Sequence, residues 1–532
     1  MDRKIFKRFK EKGLTIANDA LKGVVSQLNV EPDPDAALAG ILDAIKERID
    51  KNELDSAVIT KEVMENVVAD LSMTNDDMKE MHLFRVVDAF KGPRILYDER
   101  QKSYALQSTA NYSLYPDITS RARMHRERFH MTQQRLLRQR DIKIRGLNSD
   151  KANNLEISTV ESLLGDPGMH ILMGLLTQPE EGKWYLEDTT SNVWLDLSPV
   201  MQHELDEERL ITEGSIVMCE GALSERDAKR FVVHNLRSVP AEPRQESLRA
   251  MGIVDPFGTN ERETKMLEIK EMEESASQDV IIIVSDVTLT SNKVCENLKK
   301  LFSGFEHLPQ IASGEQNVLF VFVGPFTTKE FTSTGGREEA DAAFSNFGGT
   351  LTDCPVLREQ AHFLLVPGPT DPGAKNAWPR RNIPEYLVSG LRKKVKSLSL
   401  ASNPCRVKFY TQELVFFRDD LLRRMMRHVV LAPRKGENAT LDLNEQLVQT
   451  LCDQAHLFPL PATTKPVHWE LDHAMRLNPL PDVLVLADRT EQYKHEYEGC
   501  LAINPGSFAV DASFVFYVPS TKDVQFSRIN GV

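Results

Sequence analysis

Asp279-Val280-Ile281-Ile282-Ile283-Val284-Ser285-Asp286-Val287-Thr288-Leu289 decides how this chain is read. Five consecutive β-branched apolar residues end in Ser285-Asp286. Such a run has no face to give to water, so it predicts a strand buried on both sides. A carboxylate just past the end of a buried strand stands where α/β layers build their sites. The design repeats downstream. Val318–Val323 runs into Gly324-Pro325, Phe363–Pro367 into Gly368-Pro369-Thr370-Asp371, and Val483–Ala487 into Asp488. A fifth segment, Cys500-Leu501-Ala502-Ile503, ends in Asn504-Pro505-Gly506-Ser507.

The bulk properties bound what this layer belongs to. A chain of 532 residues is too long for one core and predicts about two to four domains. Its formal net charge of −13 excludes a wholly electrostatic nucleic-acid binder, so any DNA contact needs a local basic patch. The six cysteines are scattered, without a C-x-x-C pair. That spacing argues against zinc and a disulfide framework, and suits a reducing nuclear or cytosolic compartment. The basic N-terminus has no apolar signal core, and no run reaches membrane-spanning length.

Working outward, residues 1–75 predict a helical domain. Leu14, Ala17, Leu21, Val24 and Leu28 share one helix face, then Leu38, Ile41, Leu42, Ile45 and Ile49, then Val63, Val67, Val68 and Leu71. No P-loop occurs there. Residues 76–150 form a linker: an amphipathic helix on Leu83, Val86, Val87 and Phe90, an extended pair around Ile95–Tyr97 and Ser103–Leu106, and a basic segment. In residues 121–145, nine Lys and Arg stand against Glu127 and Asp141, a local charge of +7. Arg121, Arg123, Arg126, Arg128, Arg135 and Arg138 are the candidate DNA contacts. The reading preferred over DNA contact is a solvated connecting helix that pairs with the chain's own acidic surface.

Residues 151–240 alternate like a five-strand barrel and resemble an OB-fold. Trp184, Tyr185 and Trp194 can stack on bases or fill the barrel, and the acidic edges at Glu180, Glu181, Glu187, Asp188 and Asp196 disfavour a strand-binding groove. A polar connector spans 241–277 with a surface helix at Thr264–Ser275, and the strand series occupies 278–532. Within it, Thr334–Gly349 reads as a surface loop.

The strand series resembles the calcineurin-like metallophosphoesterases, whose metal ligands follow successive strands as D-x-H, G-D, G-N-H-D/E, a lone His and G-H-x-H. Here Thr288 stands in place of the first His and Pro325 in place of the second Asp. Gly368-Pro369-Thr370-Asp371 lacks the Asn and His, and Asn504-Pro505-Gly506-Ser507 lacks both His residues. A two-metal centre needs several carboxylate and imidazole ligands converging at short range, which the surviving Asp286 and Asp371 cannot supply. The expected site is therefore degenerate, with no catalytic residue, metal or cofactor. Its positions are Asp286, Thr288, Gly324, Pro325, Gly368, Asp371, His456, Asn504 and Ser507. Asp286, Asp371 and Asp488 are expected to cap loops or helix starts instead.

The degenerate motifs D-V-x-L, V-P-G-P-x-D-P and I-N-P-G-S-F look like those of the B subunits of the eukaryotic replicative DNA polymerases. Asn403-Pro404-Cys405-Arg406 and His456–Pro461 extend the likeness, which is strongest to the epsilon branch and covers nearly the whole chain. The resemblance implies a multidomain α+β architecture: an N-terminal helical domain similar to the lid of AAA+ ATPases, an OB-fold, and an inactive phosphoesterase-like α/β sandwich. It implies a nuclear, non-catalytic scaffold in DNA replication. The partners it implies are the zinc-containing C-terminal domain of the epsilon catalytic subunit, the replicative helicase through GINS, the small histone-fold subunits indirectly, and DNA through the holoenzyme, with no membrane. Phe416, Phe417, Arg418, Trp469 and Tyr493 are the candidate partner contacts. The competing readings are a B subunit of polymerase delta or alpha, and an active metallophosphoesterase.

Overall fold

The computed structural model describes scattered short stretches of the first 83 residues and most of residues 84–529. It leaves out 140–156, 203–208, 257–262, 374–376, 432–440 and some shorter gaps. The chain divides into two units, Met1–Arg85 and Val86–Val532.

In the first unit, the helix Asp2–Glu11 buries Ile5 and Phe9, one turn apart. Leu38, Ile41, Leu42 and Ile45 are helical and buried, the face expected for the second helix. Thr15–Ile16 pairs in parallel with Val58–Ile59, a contact the helical reading did not contain. Val63, Val67, Val68, Leu71 and most of the first stripe lie outside the described residues.

Phe84–Asp88 is a strand rather than the expected helix. Four apolar residues near one another satisfy either period, and the β-branched pair Val86-Val87 favours the strand. The antiparallel pair Arg94–Asp98 and Ser103–Gln107 forms as expected. The basic segment becomes the helix Ile118–Arg138, started by Asp117, whose carboxylate accepts Ser120 N–H at 3.1 Å.

The strands His170–Glu180, Lys183–Glu187, Asn192–Asp196, Ile216–Ser224 and Asp227–Ser238 close a barrel. The third pairs in parallel with the fifth, and the fourth returns to the first. Counted along the chain, the strand order is 1-2-3-5-4-1, the closure of an OB-fold. Leu172, Leu176, Leu186, Leu195, Phe231 and Val233 fill its interior.

The C-terminal half carries two sheets. The first runs Ser397–Leu400, His362–Val366, Val318–Val323, Val280–Ser285, Ser513–Val518, Asp523–Arg528. The first four in that order are parallel, and Ser513–Val518 is antiparallel to Val280–Ser285. One face of this sheet, with Ile282, Phe320, Phe322 and Phe363, packs under the helices Asn292–Glu306, Gly336–Thr350 and Glu385–Arg392. The second sheet places Gln412–Phe417 and Val483–Leu486 side by side in parallel, and its Val415, Phe417, Leu484 and Leu486 pack with Leu447, Val448 and Leu451 of the helix Leu443–Gln454. Residues on the opposite faces, Ile281, Ile283, Leu414 and Val485, are also fully buried. Gln412 links the sheets, its Nε2 donating to Pro519 O at 2.6 Å. Two-sided burial is why these strands read as unbroken apolar runs.

Gly336–Thr350 is a helix, not the loop expected at Thr334–Gly349. Ala340, Ala343, Phe344 and Phe347 recur at helical spacing and are buried. The glycines at both ends obscured that stripe.

Candidate functional site

The loops that leave the buried strands meet in one cluster. Asp286 follows Val280–Ser285 with φ 59°, a left-handed conformation that Asp tolerates better than most residues. Its Oδ2 accepts Ser507 Oγ at 2.6 Å. Its Oδ1 accepts Arg489 Nη2 at 3.1 Å and Nε at 3.3 Å, with Arg418 Nη2 at 3.9 Å. Arg418 is only 1% exposed. Its Nε donates to Gly324 O at 3.0 Å and its Nη1 to Asp420 Oδ1 at 3.0 Å. A guanidinium fork therefore occupies the centre of the strand-end cluster.

Asp371 belongs to the same cluster. Its Oδ1 accepts Phe326 N–H at 2.8 Å and Thr327 N–H at 3.3 Å, and its Oδ2 accepts Gly368 N–H at 2.7 Å. Burial nevertheless holds this carboxyl above its ordinary range, against those donors and the nearby Arg380 charge. Arg380 donates to Pro369 O at 2.9 Å and also to Asp371 O. A Cβ on Gly324 would lie 2.1 Å from Asp371 Oδ2, and one on Gly368 2.4 Å from Pro325 N. The two glycines are there because the loops touch through their backbones.

Asn504 Nδ2 donates to Asp488 Oδ1 and, at 2.8 Å, to Thr490 Oγ1, while its Oδ1 accepts Gly506 N–H at 2.8 Å. Burial also raises the Asp488 carboxyl. Thr288 is half-buried, with its N–H on Asp286 O at 3.1 Å. Asn403 ties the neighbouring loops: its Nδ2 donates to Pro367 O and Arg418 O, both at 2.9 Å, and its Oδ1 accepts Arg418 N–H at 3.1 Å.

His456 is engaged elsewhere. Its Nε2 meets Asp472 Oδ1 at 3.2 Å and its Nδ1 accepts Phe458 N–H at 3.0 Å. Burial, reinforced by the charge of Arg128, lowers its pKa to about 4. Among the described residues one other group has metal-ligand chemistry: Asp442, Glu445 and His495, within 4.8 Å of one another. Asp442 already caps the helix Leu443–Gln454, and that positive helix end opposes a cation.

The basic helix splits into two sets. Arg121, Arg123 and Arg126 are exposed. Arg128 instead pairs with the buried Asp472, its Nε at 2.9 Å. Arg135 is 2% exposed and donates to Asp453 O at 2.7 Å, and Arg138 holds Glu242 through two bonds of 2.8 Å. Phe416, Phe417 and Arg418 are buried, Tyr493 is 7% exposed, and Trp469 is half-buried. Trp184 packs on the barrel core, and Arg230 covers the Trp194 ring at 5.2 Å.

Sequence reasoning missed Arg489 and took Arg418 for a partner contact rather than a member of the strand-end cluster. Arg489 directly follows Asp488, and Arg418 directly follows the strand Gln412–Phe417. Both occupy strand ends, where ligands were sought only among carboxylates and imidazoles.

The family described as the B subunits of DNA polymerases alpha and epsilon matches residues 281–495, and the DNA polymerase epsilon subunit 2-like OB-fold domain matches residues 118–240. The B subunit of DNA polymerase epsilon from Arabidopsis thaliana is 32% identical over 99% of this chain and 98% of its own. DNA polymerase epsilon subunit 2 of Homo sapiens is 30% identical over 98% of this chain and 97% of its own. A solved archaeal phosphodiesterase aligns with 47% of this chain and 99% of its own, at 12% identity and a TM-score of 0.25, too distant to carry an argument. Among the described residues no helix is long and apolar enough to cross a membrane.

Proposed function

The chain belongs to the family of DNA polymerase epsilon B subunits, and we propose that it is the non-catalytic accessory subunit of DNA polymerase epsilon in nuclear DNA replication. The observation that carries this is identity of 32% over 99% of the chain. In this reading the OB-fold and the phosphoesterase-like half together grip the zinc-containing C-terminal domain of the catalytic subunit. The N-terminal unit, a helical domain like an AAA+ lid, links the polymerase to the replicative helicase through GINS. The small histone-fold subunits join indirectly.

The phosphoesterase-like site is inactive in this reading, and its donor set does not fit a two-metal centre. Arg418 and Arg489 hold Asp286, three backbone N–H groups occupy Asp371, and His456 is committed to Asp472 and Phe458. A guanidinium beside a carboxylate supplies the positive charge that a cation would otherwise bring. In this reading direct DNA contact falls to the exposed Arg121, Arg123 and Arg126.

The test is co-expression with the zinc-containing C-terminal domain of the epsilon catalytic subunit. A one-to-one complex that survives high salt on size exclusion is the expected result, because an apolar obligate interface resists screening. A chain that stays monodisperse alone overturns the proposal and turns attention to the alpha and delta partners.

A further inference from the structure

The helix Ile118–Arg138 lies over a small cavity whose wall is short of negative charge. Arg128, Met131 and Arg135 from the helix face His456, Arg476 and Asn478 from the C-terminal half. The cavity holds about 20 Å³ and adjoins a second of about 30 Å³ that shares Met131, Arg476 and Asn478. That is room for one ion or one to two waters, and too little for a nucleotide. Three guanidiniums line the first cavity, and no carboxylate does.

Arg135 Nε and Arg476 Nη1, two buried atoms of its lining, have no hydrogen-bond partner, and Asn478 Nδ2 has only the Tyr104 hydroxyl beside it. Their residues are 2%, 7% and 8% exposed. All three atoms are donors. The carboxylates around them are committed. Asp472 serves Arg128 and Arg476, and Glu127 serves Arg94 and Arg476. Asp453, whose charge reaches Arg135, is bound by Arg209 at 2.8 Å, and Glu242 is bound by Arg138. Six arginines thus stand against four carboxylates, leaving an excess of +2 in a desolvated place. An unpaired buried cation is unfavourable. A water can accept two of these bonds but brings no negative charge against the excess.

We propose that this cavity binds one small monovalent anion of the halide class, which completes the hydrogen bonding of Arg135, Arg476 and Asn478 and clamps the helix onto the phosphoesterase-like half. The neighbouring imidazoles sense the same positive field. Burial and then the Arg128 charge lower His456 to about 4, and burial and then the Arg476 charge lower His473 to about 3.

The test uses the full chain in potassium chloride and in potassium glutamate at equal ionic strength. The unfolding midpoint rises with chloride and saturates, as for a ligand of the folded state, and the His456 pKa moves up towards its ordinary value by NMR. Crystals soaked in bromide show an anomalous peak between Arg135 and Arg476. Asn478→Asp places a carboxylate at the wall and removes the chloride dependence. Equal midpoints in the two salts with no bromide peak overturn the proposal, and those two readings need no variant to fold. Chloride dependence that persists in Asn478→Asp overturns the assignment to this cavity.

Discussion

Replacing Arg418 by Met removes the cation that holds the strand-end loops together. The side chain is 1% exposed, so no water stands ready to replace its bonds. Its loss leaves Gly324 O without its 3.0 Å donor and Asp420 without its partner, and removes the second positive charge beside Asp286. A buried acceptor left unsatisfied costs about 1–3 kcal/mol, and breaking a buried ion pair from one side costs about 3–5 kcal/mol. Arg489 and Ser507 still hold Asp286, and Asp420 is 36% exposed on its side chain, so the lower part of that range applies. A net loss of about 3–4 kcal/mol follows, or roughly 3–4 °C in melting temperature for a cooperative unit as long as Val86–Val532. Differential scanning calorimetry of the full chain reads it, with exposed Arg423→Met as the control. A melting temperature within about 1 °C of the parent would refute the structural role of this guanidinium.

Two further outcomes follow from the same geometry. Gly324→Ala sets a Cβ 2.1 Å from Asp371 Oδ2, which three N–H donors hold in place. It lowers stability by about 3 kcal/mol or more, while Gly390→Ala, with nothing within 4 Å in the helix Glu385–Arg392, raises it by roughly 0.5–1 kcal/mol. Soluble yield and thermal melts separate the pair. The pH dependence has a definite sign. Because His456 falls to about 4 on folding from about 6.5 when unfolded, the unfolded chain binds the extra proton between those values. The contribution is whole above about 6.5 and is lost as pH falls towards 4, by up to about 3 kcal/mol. Urea unfolding at several pH values shows a slope in that window, and His456→Gln lowers it by about one proton's share while His125 and His473, also lowered by burial, keep theirs; an unchanged slope counts against the buried neutral imidazole.

The strands were legible because two-sided burial demands unbroken apolar runs, and Val280–Val284, Val318–Val323 and Val483–Leu486 carry that demand in their side chains. The barrel was legible from alternation between one wet and one dry face. Phe84–Asp88 and Gly336–Thr350 were not, because a short apolar run satisfies either period and terminal glycines mask a helical stripe. Burial of the basic helix's second half was also hidden: nothing local distinguishes exposed Arg126 from buried Arg135.

What the chain determined by itself was local and compositional: strand ends and the positions around Asp286 and Asp371. The tertiary structure alone decided what stands at those strand ends. Arg418 reaches Gly324 across 94 residues and Arg489 reaches Asp286 across 203. A guanidinium's long side chain lets it act far from its own backbone, so its role depends on which loops the fold brings within its reach.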